Sequence, residues 1–149
     1  GADATLAASP RWVFLFFGVL APLGGCDGTF PDIIIGDEVA VRLLNNTESD
    51  VDIVVYYDDD PDISESSLID NGTKLEFTLE PDEWTSFRRG CDRLQAVIVD
   101  RATLRVLGGL GPTTRSEVLR DGDEFGCRQT IGFRFEGSLL NFDVSWDVP

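Results

Sequence analysis

The amino-acid sequence contains no histidine, and its 12 lysine and arginine residues face 27 aspartate and glutamate residues. Histidine titrates nearest to neutral pH, so its absence removes the most common general base of enzymes. The formal net charge of −15 repels phosphate groups, which argues against nucleic acid as a partner. Composition therefore disfavours two broad classes of function, namely histidine-dependent catalysis and nucleic-acid binding.

No catalytic motif replaces the missing histidine. Residues 108–112, Gly-Gly-Leu-Gly-Pro, lack the lysine and the following helix pattern of a phosphate-binding loop. Two carboxylates would suffice for glycoside hydrolysis, but a chain this acidic always contains such pairs, so they do not indicate an enzyme. We predict a protein that is not an enzyme and that needs no organic cofactor.

The composition is nevertheless that of a folded protein. Hydrophobic residues make up 42% of the sequence and aromatic residues 10%, well above the level of a disordered acidic chain. A length of 149 residues suits one domain with a hydrophobic core and is too short for two well-buried domains. We expect a single acidic domain.

The most apolar segment is Trp-Val-Phe-Leu-Phe-Phe-Gly-Val-Leu-Ala-Pro-Leu, residues 12–23, which directly follows Arg11. Its length falls short of the roughly twenty apolar residues that a membrane-spanning helix needs. A basic residue, a short apolar stretch and then small residues are typical of a secretory signal peptide. The segment therefore predicts export.

The residues that follow extend this pattern, since Leu23-Gly24-Gly25-Cys26 resembles the lipobox of bacterial lipoprotein precursors. The resemblance implies that the leader is cut before Cys26 and that the sulfur of Cys26 carries a lipid. The lipid would anchor the protein to a membrane of the bacterial envelope or cell surface. We accordingly divide the chain into a signal peptide or N-terminal apolar segment (1–25), a lipidated cysteine with its tether (26–36) and a folded domain (37–149).

Two alternatives to this interpretation stay open. Cys26 would be an ordinary buried cysteine if the apolar segment formed an N-terminal helix of the fold. The apolar segment could also persist and pack subunits together in an extracellular filament.

The lipobox resemblance also bears on the other cysteines. If lipid takes Cys26, the two that remain are Cys91 and Cys127, which an oxidising compartment outside the cytoplasm allows to pair as a disulfide. A metal site built on these two residues is the alternative. It lacks the histidine or further cysteine that zinc normally needs.

Apolar residues after the tether alternate with polar ones, which is typical of strands with one buried face. This pattern runs through residues 39–43, 51–57, 75–79 and 140–146. Further strands are expected at 83–88, 94–100, 103–107, 117–119 and 130–135, separated by turn formers such as Asn71-Gly72, Asp121-Gly122 and Glu136-Gly137-Ser138. The sequence thus predicts an all-β fold, an antiparallel β-sandwich of about eight to ten strands.

Two stretches carry a further resemblance. Residues 45–57 and 75–87 are similar to the strands and turns of immunoglobulin-like sandwiches in bacterial surface proteins. The tryptophan that true immunoglobulin domains place between their paired cysteines is absent.

The densest acidic cluster follows the predicted strand at 51–57 and includes Asp58, Asp60 and Asp62. A Ca²⁺ ion, which takes about six to eight oxygen ligands, would relieve the repulsion between these carboxylates. The spacing is not that of an EF-hand, because Ile63 stands where that motif requires glycine. A Ca²⁺ site and a solvated acidic loop are the two interpretations.

Arg88 and Arg89, with Arg93 nearby, form a local basic island that could clamp an anionic partner or balance neighbouring acidic groups. Taken together, these features predict a lipid-anchored module outside the cytoplasm that presents its loops to a protein or glycan. A self-assembling filament subunit is the alternative, and a small calcium-dependent or glycan-active enzyme is a third, weaker hypothesis.

Overall fold

The structure is a computed structural model, and it describes residues 36–106 and 111–149. This part of the chain forms strands β1 (Glu38–Asn46), β2 (Val51–Asp58), β3 (Thr73–Leu79), β4 (Trp84–Gly90), β5 (Ala96–Leu104), β6 (Thr113–Thr114), β7 (Leu119–Arg120), β8 (Thr130–Glu136) and β9 (Asp143–Asp147). Helix α1 (Glu65–Asn71) lies between β2 and β3. The predicted all-β fold is confirmed.

The strands form two sheets arranged as a sandwich. The first sheet has the order β4-β1-β8-β9, and the second has the order β3-β2-β5-β6 with β7 also paired to β5. All pairings are antiparallel except that of β1 with β8, which is parallel. The sandwich is therefore mainly antiparallel, as predicted, with one central parallel pair that the alternation pattern did not reveal.

The strand order is not that of an immunoglobulin domain. In a constant-type immunoglobulin domain the first two strands lie in the same sheet. Here β1 and β2 lie in different sheets, and β1 pairs with β4 and β8. The expectation of a β-sandwich is correct, whereas the resemblance to immunoglobulin-like domains does not extend to the topology of the described strands.

The core lies between the sheets because alternate side chains of each strand point inward. Along β2 the burial alternates at every residue, as a strand with one buried face requires. The inward side chains that pack together include Val39, Val41, Leu43, Ile53, Val55, Val97, Val99, Ile131, Phe133 and Phe135.

Strand β5 differs because both of its faces are covered. Its first four residues are all buried, since α1 packs on the outer face of the second sheet through Leu68 against Ala96 and Ile98. The sequence predicted two strands here, at 94–100 and 103–107. The structure has one continuous strand here. Its pairing with β2 shifts register between Val54 and Val55, and this irregularity of the ladder coincides with the interruption of the alternation pattern.

The short helix α1 was not predicted, because seven residues are too few to establish a 3.6-residue period. The side chain of Ser64 caps its first turn by accepting a hydrogen bond from the Ser67 N–H at 3.2 Å. Asn71-Gly72 was expected to form a hairpin turn. Instead Asn71 ends the helix, and Gly72 follows it with φ −70° rather than a positive φ.

The C-terminal strand is also shorter than predicted. The alternation suggested a strand over 140–146 with Leu140 on the buried face, but β9 begins at Asp143 and Leu140 is 94% exposed. Gly137 and Gly122 do adopt the positive φ expected of their turns, at 105° and 91°.

We call the end of the sandwich where β1 begins the proximal end, and the end where β1 finishes the distal end. At the proximal end Cys91 and Cys127 form a disulfide, as predicted, with their Cα atoms 5.3 Å apart. The N–H groups of Cys91 and Arg128 donate to the carbonyls of Asp37 and Glu38, at 2.9 Å and 3.0 Å. Since Cys91 follows β4 and Cys127 precedes β8, the disulfide joins both neighbours of β1 across its first residues.

Among the described residues there is no helix of the length and apolarity needed to cross a membrane. The predicted signal peptide and Cys26 lie outside the described residues.

Candidate binding site at the distal loops

Three loops that the structure describes in full meet at the distal end of the sandwich. They are the β1–β2 loop (47–50), the β3–β4 loop (80–83) and the β8–β9 loop (137–142). The strand ends that carry these loops lie side by side, because Asn46 of β1 pairs with Glu136 of β8 and Val51 of β2 pairs with Leu79 of β3. The loops therefore belong to both sheets, and their relative positions depend on what connects the sheets at this end.

A buried amide makes that connection. Asn45 is fully buried, and its Nδ2 donates to the carbonyls of Ser49 at 2.8 Å and Leu79 at 2.9 Å. Its Oδ1 accepts from the N–H and the Oγ1 of Thr47, at 3.0 Å and 2.7 Å. Both donors and both acceptor sites of the amide are thus used, so the residue is buried without an unsatisfied polar group.

The main chain of Asn45 holds the β3–β4 loop as well. Its N–H donates to the Glu83 carbonyl at 2.9 Å, and its carbonyl accepts from the Asp82 N–H at 2.8 Å. Asp82 has a positive φ of 64°, and the Glu80 N–H donates to Oε1 of Glu83 at 2.7 Å, which closes the turn. A single residue therefore organises two of the three distal loops.

The β8–β9 loop is folded by its own hydrogen bonds. Oδ1 of Asn141 accepts from the N–H of Ser138 at 2.7 Å and from its Oγ at 3.0 Å. The positive φ of Gly137 turns the chain into this loop. Leu139 and Leu140 at its tip are 50% and 94% exposed, so a defined loop displays two apolar side chains to solvent.

The β1–β2 and β8–β9 loops border a cleft of about 350 Å³. Leu104 and Val106 contribute apolar surface to it, Leu139 lies at its side, and Thr47 and Ser49 add polar groups. Its volume is at the lower end of the range for small-molecule pockets, roughly 300–1,000 Å³. A shallow cleft with a mixed polar and apolar lining, beside exposed leucines, suits the side chains of a protein partner better than an enclosed ligand.

An ion pair lies on the second sheet near these loops. Arg105 Nε is 2.6 Å from Oδ2 of Asp52, and Oγ1 of Thr78 donates to Oδ1 of the same carboxylate at 2.7 Å. Partial burial by itself would raise the pKa of Asp52, but the Thr78 hydrogen bond and Arg105 together outweigh it and lower that pKa below its usual value. The same carboxylate raises the pKa of Arg105.

The structure does not gather the predicted calcium ligands into a site. Carboxylate oxygens of Asp58 and Asp60 accept the N–H groups of Asp60 and Asp62, at 3.1 Å and 2.9 Å. Within residues 36–106 and 111–149 no group of three or more acidic or cysteine side chains is placed to hold a metal ion. A Ca²⁺ site at Asp58, Asp60 and Asp62 stays a prediction without support from this geometry.

The fold separates the side chains of the basic island, Arg88 and Arg89. Arg88 and Arg89 occupy successive strand positions and so point to opposite faces of the first sheet. Arg89 donates from Nε to the hydroxyl of Tyr57 at 2.7 Å and lies over the rings of Tyr57 and Phe87. The two arginines therefore cannot clamp one ligand together.

Sequence analysis missed the residues that build the distal site. Asn45 lies just before a turn, and a single asparagine in that position carries no local sign that it will be buried. The alternation pattern places Leu140 at the start of a strand and says nothing of Leu139. The Gly137-Ser138 pair before them and Asn141 after them were the available signals of a loop.

Comparisons with known proteins give few matches. No family model and no curated protein matches the sequence. Among solved structures, the fold is similar to that of the T6SS lipoprotein TssJ1 from Pseudomonas aeruginosa, with a TM-score of 0.45 and 15% identity over 75% of this chain and 95% of that one. A protein from Eubacterium rectale has a TM-score of 0.40 and 15% identity over 82% of this chain and 93% of that one. Both TM-scores lie below 0.5, a level of likeness that does not establish a shared function.

Proposed function

We propose that this chain is an exported, lipid-anchored and non-catalytic β-sandwich that holds its distal loops away from a bacterial membrane and binds a protein partner with them. The observation that carries the proposal is the separation of two specialised ends. The folded domain begins at the disulfide-linked proximal end, and the exposed leucines lie at the distal end.

The attachment is supported by sequence and by chemistry. The segment Leu23-Gly24-Gly25-Cys26 resembles a lipobox, and a disulfide between Cys91 and Cys127 persists in an oxidising compartment outside the cytoplasm. Eleven residue steps from Cys26 to Asp37 span at most about 40 Å when fully extended. A lipid on Cys26 would therefore hold the domain close to the membrane while leaving it free to turn.

The charge of the proximal end favours a gap between the domain and the membrane. Its loops carry Asp59, Asp60 and Asp62 on one side and Asp121 and Asp123 on another. Carboxylates near an anionic membrane surface are repelled within the Debye length, about 8 Å at physiological ionic strength. The tethered domain would therefore be held off the lipid headgroups.

A protein is favoured over a glycan as the partner of the distal loops. No aromatic ring lies among the described residues that line the distal cleft, whereas two leucines are exposed beside it. Exposed apolar side chains on a preorganised loop bind protein grooves by removing apolar surface from water. The Asn45 hydrogen bonds reduce the entropy that the loops would lose on binding.

The anchor is tested by the mass of the N-terminus of the chain produced in a bacterium that processes lipoproteins. We expect a polypeptide that starts at an acylated Cys26 and that fractionates with membranes. The matched control Cys26→Ser should lose the lipid and leave the membrane fraction. An unmodified Cys26 with its leader still joined would contradict the anchor, and ordered fibres in electron micrographs of that material would support the filament alternative.

The distal site is tested separately with a photo-crosslinking residue at position 140 in living cells. We expect a discrete protein adduct from position 140, lost on Leu139→Ser, and no adduct from a crosslinker at position 123 in the proximal β7–β8 loop. Equal crosslinking from both positions would contradict the assignment of the distal loops, whatever the state of Cys26.

A further inference from the structure

Strand β3 forms one edge of the second sheet. It pairs with β2 on one side, and no strand of the described residues pairs with it on the other. An edge strand presents a row of N–H and C=O groups that can pair with a strand of another chain. The main-chain hydrogen bonds of the sheet determine which residues of β3 present these groups.

The hydrogen bonds of Val99 in β5 fix the direction in which β3 is turned. Its N–H donates to Oγ of Ser116, and its carbonyl accepts from the N–H of Ser116, both at 2.9 Å. Val99 therefore directs its main-chain groups away from Val55, its partner in β2, and Val55 directs its own groups toward β3. Since Val55 pairs with Leu75, the main-chain groups of Leu75 face β2.

Three residues of β3 direct their main-chain groups away from the sheet. Because this direction alternates along a strand and Leu75 faces β2, the three are Lys74, Glu76 and Thr78. Their N–H and C=O groups have no hydrogen-bond partner among residues 36–106 and 111–149. The edge is thus open for a further strand.

The other edge strands are less suited to pairing with a copy of themselves. Strand β4 carries the adjacent arginines Arg88 and Arg89. Antiparallel pairing of two β9 strands over their full length would set Asp143 opposite Asp147, and β6 and β7 have only two residues each. Charged side chains and short length are features by which natural edge strands avoid association.

Strand β3 instead has opposite charges at alternate positions. Lys74 and Glu76 share its outer face, 3.2 Å apart, and their side chains are 50% and 66% exposed. In an antiparallel pair of two β3 strands with Leu75 on the two-fold axis, Lys74 of each copy lies opposite Glu76 of the other. Opposite charges in directly opposed positions stabilise a strand pair. With Glu76 on the axis, the two Glu76 side chains would oppose each other, which is destabilising.

We propose that β3 pairs with β3 of a second copy of this chain, antiparallel and with Leu75 on the two-fold axis. The outward N–H and C=O groups of Lys74 and Glu76 in each copy then bond to those of Glu76 and Lys74 in the other, and the second sheets of the two copies become one continuous sheet. Because both copies use the same edge, the dimer is closed and does not grow into a fibre. It requires neither the distal loops nor the proposed lipid anchor.

The charge of the protein makes this dimer weak and sensitive to salt. Two copies with a net charge of −15 repel each other, and Asp70 and Glu80, beyond the ends of β3, bring like charges toward each other in this register. Salt screens such repulsion over a Debye length of about 8 Å at physiological ionic strength. We therefore expect dimerisation to strengthen as salt is raised from a low concentration to the physiological one.

The test is sedimentation velocity of the full chain in neutral detergent, with micelles in large excess so that two chains rarely share one by chance. We expect a dimer whose fraction rises with protein concentration. Lys74→Glu sets like charges opposite each other at two places and should weaken dimerisation by about tenfold or more. Lys74→Glu combined with Glu76→Lys restores the opposite charges and the net charge, and should return the affinity to within about threefold of the native value.

Three controls separate the edge from other causes of association. Arg101→Glu makes the same charge change as Lys74→Glu on β5, away from the edge, and should have a much smaller effect. Glu76→Pro removes an outward N–H without removing a hydrogen bond to β2, and should abolish the dimer. If Glu76→Pro fails to fold, Lys74→Glu still decides, because it removes only an exposed ion pair. Leu139→Ser should leave the dimer unchanged, which excludes association through the distal leucines.

Four outcomes would overturn the proposal. The first is a chain that stays monomeric over the whole concentration range. The second is equal weakening by Lys74→Glu and Arg101→Glu. The third is failure of the combined exchange at positions 74 and 76 to restore the dimer. The fourth is a photo-crosslinker at position 76 that joins a different protein in cells and not a second copy, which would assign the edge to that partner.

Discussion

The two ends of the sandwich are held together by different chemistry. At the proximal end a covalent bond between Cys91 and Cys127 joins the neighbours of β1. At the distal end the side chain of Asn45 makes four hydrogen bonds, three within the β1–β2 loop and one to Leu79 of the second sheet. A disulfide holds its partners covalently, whereas the hydrogen bonds of an amide are strongest where water is excluded. Both ends carry acidic loops, and at the distal end the buried Asn45 provides a rigid frame for the exposed leucines.

The largest expected effect on the free energy of unfolding comes from a change at the proximal end. Replacing both Cys91 and Cys127 by alanine should lower the free energy of unfolding by about 4 kcal/mol, because the unfolded chain regains the freedom of a closed loop. Urea unfolding with and without reductant measures this. Reductant should destabilise the native protein and leave the double variant unchanged. A native protein whose unfolding is insensitive to reductant would mean that the disulfide contributes nothing.

The corresponding change at the distal end is Asn45→Ala. It removes the amide donors to the carbonyls of Ser49 and Leu79 and the acceptor of the Thr47 N–H, and we expect a loss of about 2–4 kcal/mol in the free energy of unfolding. The neighbouring Asn46→Ala is the matched control, because Asn46 is exposed and makes one long hydrogen bond to Glu136, at 3.4 Å. Equal effects of the two substitutions on the urea midpoint would show that Asn45 does not connect the sheets.

A smaller effect is expected from the turn that leads into the distal loop. Gly137→Ala places a side chain at a φ of 105°, where its Cβ would also meet the Asn141 main chain, and should cost about 1–3 kcal/mol. Gly122→Ala at the proximal end has a similar φ of 91° but nothing within 4 Å of the added Cβ. Thermal unfolding should therefore rank Gly137→Ala as the more damaging of the two. Equal destabilisation by the two substitutions would show that backbone strain alone, without crowding, limits both turns.

The smallest effect concerns the Asp52–Arg105 ion pair. Because the pKa of Asp52 is lowered on folding, its contribution is present above the usual carboxyl pKa, near 4, and is lost as the pH falls through the lower folded value. Both side chains are partly exposed, so a double-mutant cycle of Asp52→Asn and Arg105→Gln should give only a small favourable coupling at pH 7. The coupling should shrink below about pH 4. A coupling that is unchanged at pH 2 would rule out the ionised carboxylate as its source.

The local sequence pattern was sufficient to predict much of the fold. Alternation along β1, β2 and β3 predicted their buried faces correctly, because the two-residue period of a strand is a property of the backbone alone. Gly122 and Gly137 adopt the positive φ that their turn sequences predict, since glycine has no Cβ to oppose it.

Predictions from the local sequence pattern failed where the position of a residue depends on partners far away in the chain. Leu140 continues the alternation of β9, yet its predicted strand position is taken by a loop that Gly137 and Asn141 close. Asn45 lies beside a turn in sequence, and its burial follows from the carbonyl of Leu79, 34 residues away. Arg88 and Arg89 are adjacent in the chain but point to opposite faces of the sheet.

The sequence by itself determined that this is an acidic, strand-rich protein with a segment that resembles a lipoprotein leader, because composition and two-residue periodicity act over a few neighbouring residues. The tertiary structure decided the parallel pairing of β1 with β8, the burial of Asn45, and the place of β3 at the edge of its sheet. The physical reason is that strand order and register depend on how two sheets bury their apolar faces together, and each strand's alternation is compatible with many neighbours.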